Sequence, residues 1–260
     1  MTPTVLQYAA AGAAAFTAGA MNSVAGGGTL LTFPTLIWLG LNSVTANATS
    51  TVAIWPASLG GMVGYRRELR GVDPNLLWLA LPSVVGGIVG AWLLRFTPPS
   101  LFDKLVPWLI LFATVLFMAQ APIQKRLKAS LAGNAEGDHH SAKWLVGAMV
   151  FQLFVALYGG YFGAGIGILM LAALSILGVS DIHVMNGLKN TFGMCINGVA
   201  AVYFIVSGMV SWPFVLVMCT GAILGGISVA GMARKLGRDA VRRIVVAIGF
   251  AMALSLFLKR

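Results

Sequence analysis

Apolar runs follow one another along this chain, each about 15 to 25 residues long and parted only by short polar patches. Runs of that length suffice to carry a helix across a bilayer core of about 30 Å. In hydrocarbon the backbone must satisfy its own hydrogen bonds, which leaves helices as the repeatable solution. Only 9% of the residues are charged, against about 25% in a typical soluble domain. The fold class is therefore an all-α polytopic membrane protein, with membrane lipid as a partner. The formal charge of +10 does not point to nucleic acid. Its basic residues sit in patches, RRELR (66–70), KRLK (125–128) and RKLGRDAVRR (234–243), as positive cytoplasmic loops require.

The runs fall at roughly 5–25, 28–40, 45–65, 75–95 and 104–121, then again at 144–160, 164–177, 183–207, 212–232 and 240–258. This gives an N-terminal transmembrane repeat (1–122), a polar cytoplasmic linker (123–143) and a C-terminal transmembrane repeat (144–260). Residues match across the halves. Asn47 and Asn186, Pro74 and Pro213, and Gly86-Gly87 and Gly225-Gly226 all lie 139 apart, while Gly27 and Gly165, and Gly40 and Gly178, lie 138 apart. The loop after 45–65 is strongly basic, whereas SGMVSW, after 183–207, carries no charge. With basic loops facing the cytoplasm, equivalent segments run in opposite directions. Two inverted repeats are expected, each a broken or re-entrant helix pair plus three transmembrane helices. Such repeats typify secondary transporters, whose substrate site lies at the repeat interface near the midplane.

Residues 5–40 and 144–177 supply about 35 residues each, or roughly 52 Å of helix. Two full crossings need about 60 Å, so each pair fits a re-entrant V. The apices are AGGGTLLTFP (25–34) and YGGYFGAGIG (158–167). Glycine runs interrupt helices, and bare N–H groups at the next helix start form an anion cradle. Gly26, Gly27 and Gly28, with Gly163 to Gly167 and above all Gly163 and Gly165, are candidate substrate-lining positions. Gly86, Gly90, Gly221 and Gly225 read instead as close-packing positions.

The third segment of each half carries a polar stripe. In 183–207, Asn186, Lys189 or Asn190, Gly193 and Asn197 share one helix face. In 45–65 the matching set is Asn47, Ser50 or Thr51, Ile54 and Ser58, and Asn22 can join from the first V. For Asn197, Ser58 and Thr51, hydrogen bonding between helices is an equal reading. Lys189 is the deepest charge in any apolar run, and an ammonium there costs at least about 2.5 kcal/mol on insertion scales. The acids Glu68, Asp73, Asp103, Glu136, Asp138, Asp181 and Asp239 all sit at segment ends or in loops. A lysine with no resident acid at its depth suits a small anionic substrate that comes and goes; a structural lysine snorkelling to the interface is the other reading. Proton-coupled carriers keep an acid or histidine in the membrane; here only His183 stands near, at a segment edge. With the inside negative, each exported negative charge gains about 2.3 kcal/mol per 100 mV. No cofactor, metal or catalytic residue is expected, because Cys195, Cys219, His139 and His140 lack ligand spacing and no nucleophile–base pair is visible.

The chain resembles the TauE/SafE family of membrane proteins, in GGGTLLTFPTL (26–36), ANATST (46–51), YFGAGIG (161–167) and NGLKN (186–190). The resemblance covers nearly the full length. It implies about eight helices, two related halves, and traffic in sulfite, sulfoacetate or a related sulfonate. The expected function is export of such an anion across the bacterial inner (plasma) membrane by a multi-pass carrier using alternating access. The alternatives are an importer or channel for another small anion, or a membrane-embedded structural or enzymatic protein. A homodimer is compatible with the pattern.

Overall fold

A computed structural model describes the backbone of residues 3–24, 27–64, 68–72, 74–131, 142–177, 179, 181–236 and 238–258. Side chains are described for these apart from 23–24, 60–64, 68, 71, 120–131, 142–144, 175–176, 182, 228–236 and 238–245. Apolar runs that close their hydrogen bonds internally become helices throughout. Among the described residues there is no strand.

The first half contains α1 (Val5–Val24), α2 (Thr29–Trp38), α3 (Ser43–Gly64), a 3-10 turn (Glu68–Gly71), α4 (Pro74–Leu77), α5 (Ala80–Phe96) and α6 (Pro99–Leu131). The second contains α7 (Ala142–Tyr161), α8 (Ile166–Ile176), α9 (Ile182–Val206), α10 (Trp212–Leu236) and α11 (Arg238–Leu258). Each expected V has one long and one short arm, 20 residues in α1 against 10 in α2, and 20 in α7 against 11 in α8. The run expected over 75–95 breaks into α4 and α5. Helix α6 continues to Leu131, into the segment read as linker, because Lys, Arg, Leu and Ala there favour helix and its basic end suits the helix dipole. Glu136, Asp138, His139 and His140 lie outside the described residues, as does Gly26.

Helix pairing repeats between the halves. Helix α1 lies along α10, and α7 lies along α5; α3 also packs on α10, and α9 on α5. Helices α3 and α9 meet at the centre, α6 meets α11, and the short arms α2 and α8 lean on α11 and α6 respectively. These contacts map onto themselves when α1, α2, α3, α5 and α6 are exchanged for α7, α8, α9, α10 and α11.

Directions follow from side chains. Trp108 stacks on Phe257, and a Cβ on Gly249 would strike Thr114, so α6 and α11 run antiparallel. The Thr49 hydroxyl accepts from Ser211 N–H at 2.9 Å, Ser43 bonds Asp103, and Arg95 donates to Ser207 at 3.0 Å. One end of the bundle therefore gathers the starts of α3, α6 and α10 with the ends of α5, α9 and α11. The described ends of α3, α6 and α10 and the start of α11 lie at the other end, and it is beside these that the sequence carries its three basic runs.

Small residues bring the paired helices together. A Cβ on Gly90 would collide with the Leu157 carbonyl, one on Gly160 with the Gly87 carbonyl, and one on Gly225 with the Phe16 carbonyl. Backbones this close gain dispersion contacts over their whole length. The outward faces are the reverse of a soluble protein's. Leu77, Leu81, Val85, Ile88 and Trp92 on α4 and α5, and Leu101, Leu105, Trp108, Phe112 and Val115 on α6, are all exposed. Contiguous apolar surface on this scale needs a non-aqueous neighbour. Trp38, Trp92, Trp108 and Trp212 are exposed near the Ser43 end, where indoles favour a headgroup boundary.

Candidate functional site

Both V elements turn on glycines in the left-handed region, Gly27 at φ +91°, Gly163 at φ +79° and Gly165 at φ +83°. A side chain there is strained by about 1–2 kcal/mol. At Gly165 the strain is purely conformational, since a Cβ would find its nearest neighbour at an ordinary 3.5 Å. Gly165→Ala is therefore expected to lower the thermal midpoint in detergent by about 2–8 °C, at ~2–4 °C per kcal/mol, without a clash.

The turns aim α2 and α8 by their N-termini at one space between α3 and α9. A cavity of about 80 Å³ occupies it. One water needs about 10–15 Å³ on this measure, so several waters or one small polyatomic ion fit. Its polar wall is Asn22, Thr29, Ser58, Lys189, Asn190 and Asn197; its apolar wall includes Ile54, Ala57, Ile166 and Met170. At the start of α2, Asn22 Oδ1 accepts the Gly28 N–H at 3.0 Å. At the start of α8, the N–H groups of Gly165, Ile166 and Gly167 meet no acceptor among the described residues. Unpaired N–H groups and the dipole ends of two helices make this a region of positive potential.

Lys189 adds a full charge. It is 9% exposed and reaches the cavity wall. Its stem lies against α8 where residue 167 has no side chain, and a Cβ on Gly167 would sit 3.4 Å from Lys189 Cδ. Two acids have described side chains, and both are engaged elsewhere. Asp103 takes the Ser43 hydroxyl at one end of the bundle. Asp181 caps α9, accepting from His183 N–H at 2.7 Å, and starts eight residues, or about 12 Å, before Lys189. The carboxylates of Glu68, Asp73, Glu136, Asp138 and Asp239 lie outside the described side chains. Among the described residues the ammonium makes no hydrogen bond or ion pair.

Of the positions singled out in the sequence, Lys189, Asn190, Asn22, Gly27, Gly163 and Gly165 come together at the cavity. Gly28 stands just behind, engaged by Asn22. Asn47, Ser50 and Thr51 are buried away from it. Asn47 Nδ2 donates to the Tyr161 carbonyl at 3.0 Å, Ser50 and Thr32 hydroxyls bond at 2.6 Å, and Thr51 donates to the Asn47 carbonyl at 3.0 Å. Asn186 is half-buried, one turn of α9 before Lys189, and is not part of the wall. Ser58, Gly193 and Asn197 do reach the wall, on the stripes the helical spacing had drawn. Gly167, within the second glycine run, reaches the wall as well; Thr29 and Met170 were missed, and only their closeness to the glycine turns marked them. Cys195 is half-buried and outside the cavity wall.

The sequence model of the family described as "Sulfite exporter TauE/SafE" matches residues 11–256. A probable membrane transporter protein of Haemophilus influenzae is 27% identical over 91% of this chain and 89% of its own length. The probable membrane transporter protein YfcA of Escherichia coli K12 is 24% identical over 93% of this chain and 86% of its own. A probable membrane transporter protein, ORF9, of a Sinorhizobium species is 26% identical over 94% and 89%. No solved structure matches.

Proposed function

The chain belongs to the TauE/SafE family, and from that premise we propose that this membrane transporter exports a small sulfur-containing anion, sulfite or a compact sulfonate. The observation that carries the reading is Lys189, a buried ammonium at a cavity wall into which two helix N-termini also point. Every strong electrostatic feature described there is positive. An oxyanion supplies what that wall lacks, a negative charge and several acceptors for N–H and amide donors. Asn22, Asn190 and Asn197 orient it. Ile54 and Met170 keep the space small and partly apolar.

Binding one negative charge at Lys189 gives a loaded site close to neutral, which crosses a low-dielectric bundle far more readily than a bare ion. The membrane potential acts on the return of the empty, positively charged site, so that a full cycle of export is favoured by about 2.3 kcal/mol per negative charge per 100 mV. The repeated helix pairing and antiparallel directions described above support two inverted repeats that rock against one another around the site. Lipid covers the outward apolar faces in a bacterial plasma membrane. Counterflow in proteoliposomes tests the function. Labelled sulfite is expected to exchange against unlabelled sulfite and short sulfonates, and not against cations. A protein that exchanges none of these anions refutes the reading.

A further inference from the structure

A second and larger cavity, about 580 Å³, opens at the Ser43 end between the close of α2, the start of α3 and the start of α6. Ile37, Leu41, Ser43, Asp103 and Lys104 are among its lining residues. Helix α2 is a wall of both cavities, with Thr29 at the small one and Ile37 at the large one, about 12 Å apart along the helix. Between them lies a dry layer. Thr32 and Phe33 are buried; Phe33 meets Phe162 edge-on at 5.3 Å, and Phe102 meets Tyr161 at 5.6 Å. Thr32 and Ser50 share a hydrogen bond, and Asn47 ties α3 to the Tyr161 carbonyl.

The halves differ at this level. Ser50 and Lys189 lie 139 apart, the register of Asn47 and Asn186; Thr32 and Met170 lie 138 apart, the register of Gly27 and Gly165. The counterpart of the Thr32–Ser50 bond is thus Met170 with Lys189, two residues on the cavity wall. One short arm is latched to its long helix by a side-chain hydrogen bond; the other packs on its long helix through Gly167 and Met170 with no such bond at this register among the described residues. The latched side also holds two buried polar atoms without partners among the described residues, Asn47 Oδ1 and Trp55 Nε1. Buried polar groups are normally paired, so an arrangement that leaves two open is one the α3 contacts can leave. Pro56, level with the cavity between Ile54 and Ala57, removes one rung of the α3 ladder.

We propose that this layer is the outer gate and the larger cavity the vestibule beyond it. The side is outer because the sequence carries its basic runs beside the helix ends at the opposite side. Opening parts Thr32 from Ser50 and Phe33 from Phe162 as α2 swings off α3, and the small cavity then joins the vestibule. The gate deepens the transport reading and rests on it, yet its test needs no substrate, so failure of anion exchange and failure of the gate are separable.

The full chain, with Cys195→Ala and Cys219→Ala, carries one cysteine at a time in right-side-out vesicles treated with a membrane-impermeant maleimide. Leu41→Cys, in the vestibule, is expected to react readily. Ala57→Cys, in the small cavity, is expected to react at least tenfold more slowly. Adding Phe33→Ala accelerates Ala57→Cys at least tenfold and leaves the Leu41→Cys rate unchanged. Ser50→Ala, which removes the latch with little change of volume, moves the rate the same way if Phe33→Ala fails to fold. Equal rates at both cysteines with the layer intact, no acceleration in either variant, or labelling of Leu41→Cys only in inside-out vesicles would each overturn the gate.

Discussion

Lys189→Met abolishes anion counterflow while the protein remains folded and becomes no less stable. Methionine keeps the unbranched stem that lies against Gly167 and discards only the ammonium. Losing one member of a buried, hydrogen-bonded charge pair costs about 2–5 kcal/mol, so exchange should fall at least about 30-fold. Stability moves the other way. In the empty protein the ammonium has no partner among the described residues, so removing it relieves an insertion cost of at least about 2.5 kcal/mol. A structural lysine would do the opposite and lose stability with little effect on exchange. Initial counterflow rates and thermal midpoints of the same preparation separate the two. Asn190→Asp approaches the site from the other direction: a resident carboxylate beside Lys189 competes with the incoming anion. It should depress exchange as Lys189→Met does, and the double variant, which leaves an unpaired carboxylate at the site, should fall below either single one.

How far the sequence could be read depended on whether a property was local. The glycine turns, the stripe through Lys189 and Asn190, and the helical character of every long apolar run follow from neighbours in the chain. The structure brings Asn22, Gly27, Gly163, Gly165, Lys189 and Asn190 to one wall. The depth at which two helices cross is not local. Asn47, Ser50 and Thr51 carry the same stripe signal as their counterparts, yet they lie in the closed layer because α2 has folded onto α3 there. A pattern shared by both halves cannot say which half is open. Met170 escaped notice because an apolar residue in an apolar run has no contrast. Thr29 escaped because its place at the start of a short arm, beside the first glycine turn, is not a property of its side chain.

Gly160→Leu is expected to cost at least about 3 kcal/mol, among the largest single-residue losses of stability available in this chain. Gly147→Leu, on the same helix, should be neutral or slightly stabilising. The contrast isolates packing from helix propensity. Leucine favours helix over glycine by up to about 1 kcal/mol at either site. At Gly147 a Cβ meets nothing within 4 Å, so that preference stands alone. At Gly160 it would enter the Gly87 carbonyl, a backbone atom that cannot rotate away. The only relief is to separate α7 from α5 along the crossing where Gly86 and Gly90 also meet α7. Thermal midpoints in one detergent should therefore fall by about 6–12 °C for Gly160→Leu, at ~2–4 °C per kcal/mol, and stay within a few degrees for Gly147→Leu. The damage extends to the site, because Tyr161 and the Gly163 turn follow directly and set where α8 begins. Protein that survives the substitution should bind anion weakly even below its midpoint. Wild-type affinity in a destabilised Gly160→Leu protein would mean that the α5–α7 crossing does not position the cavity.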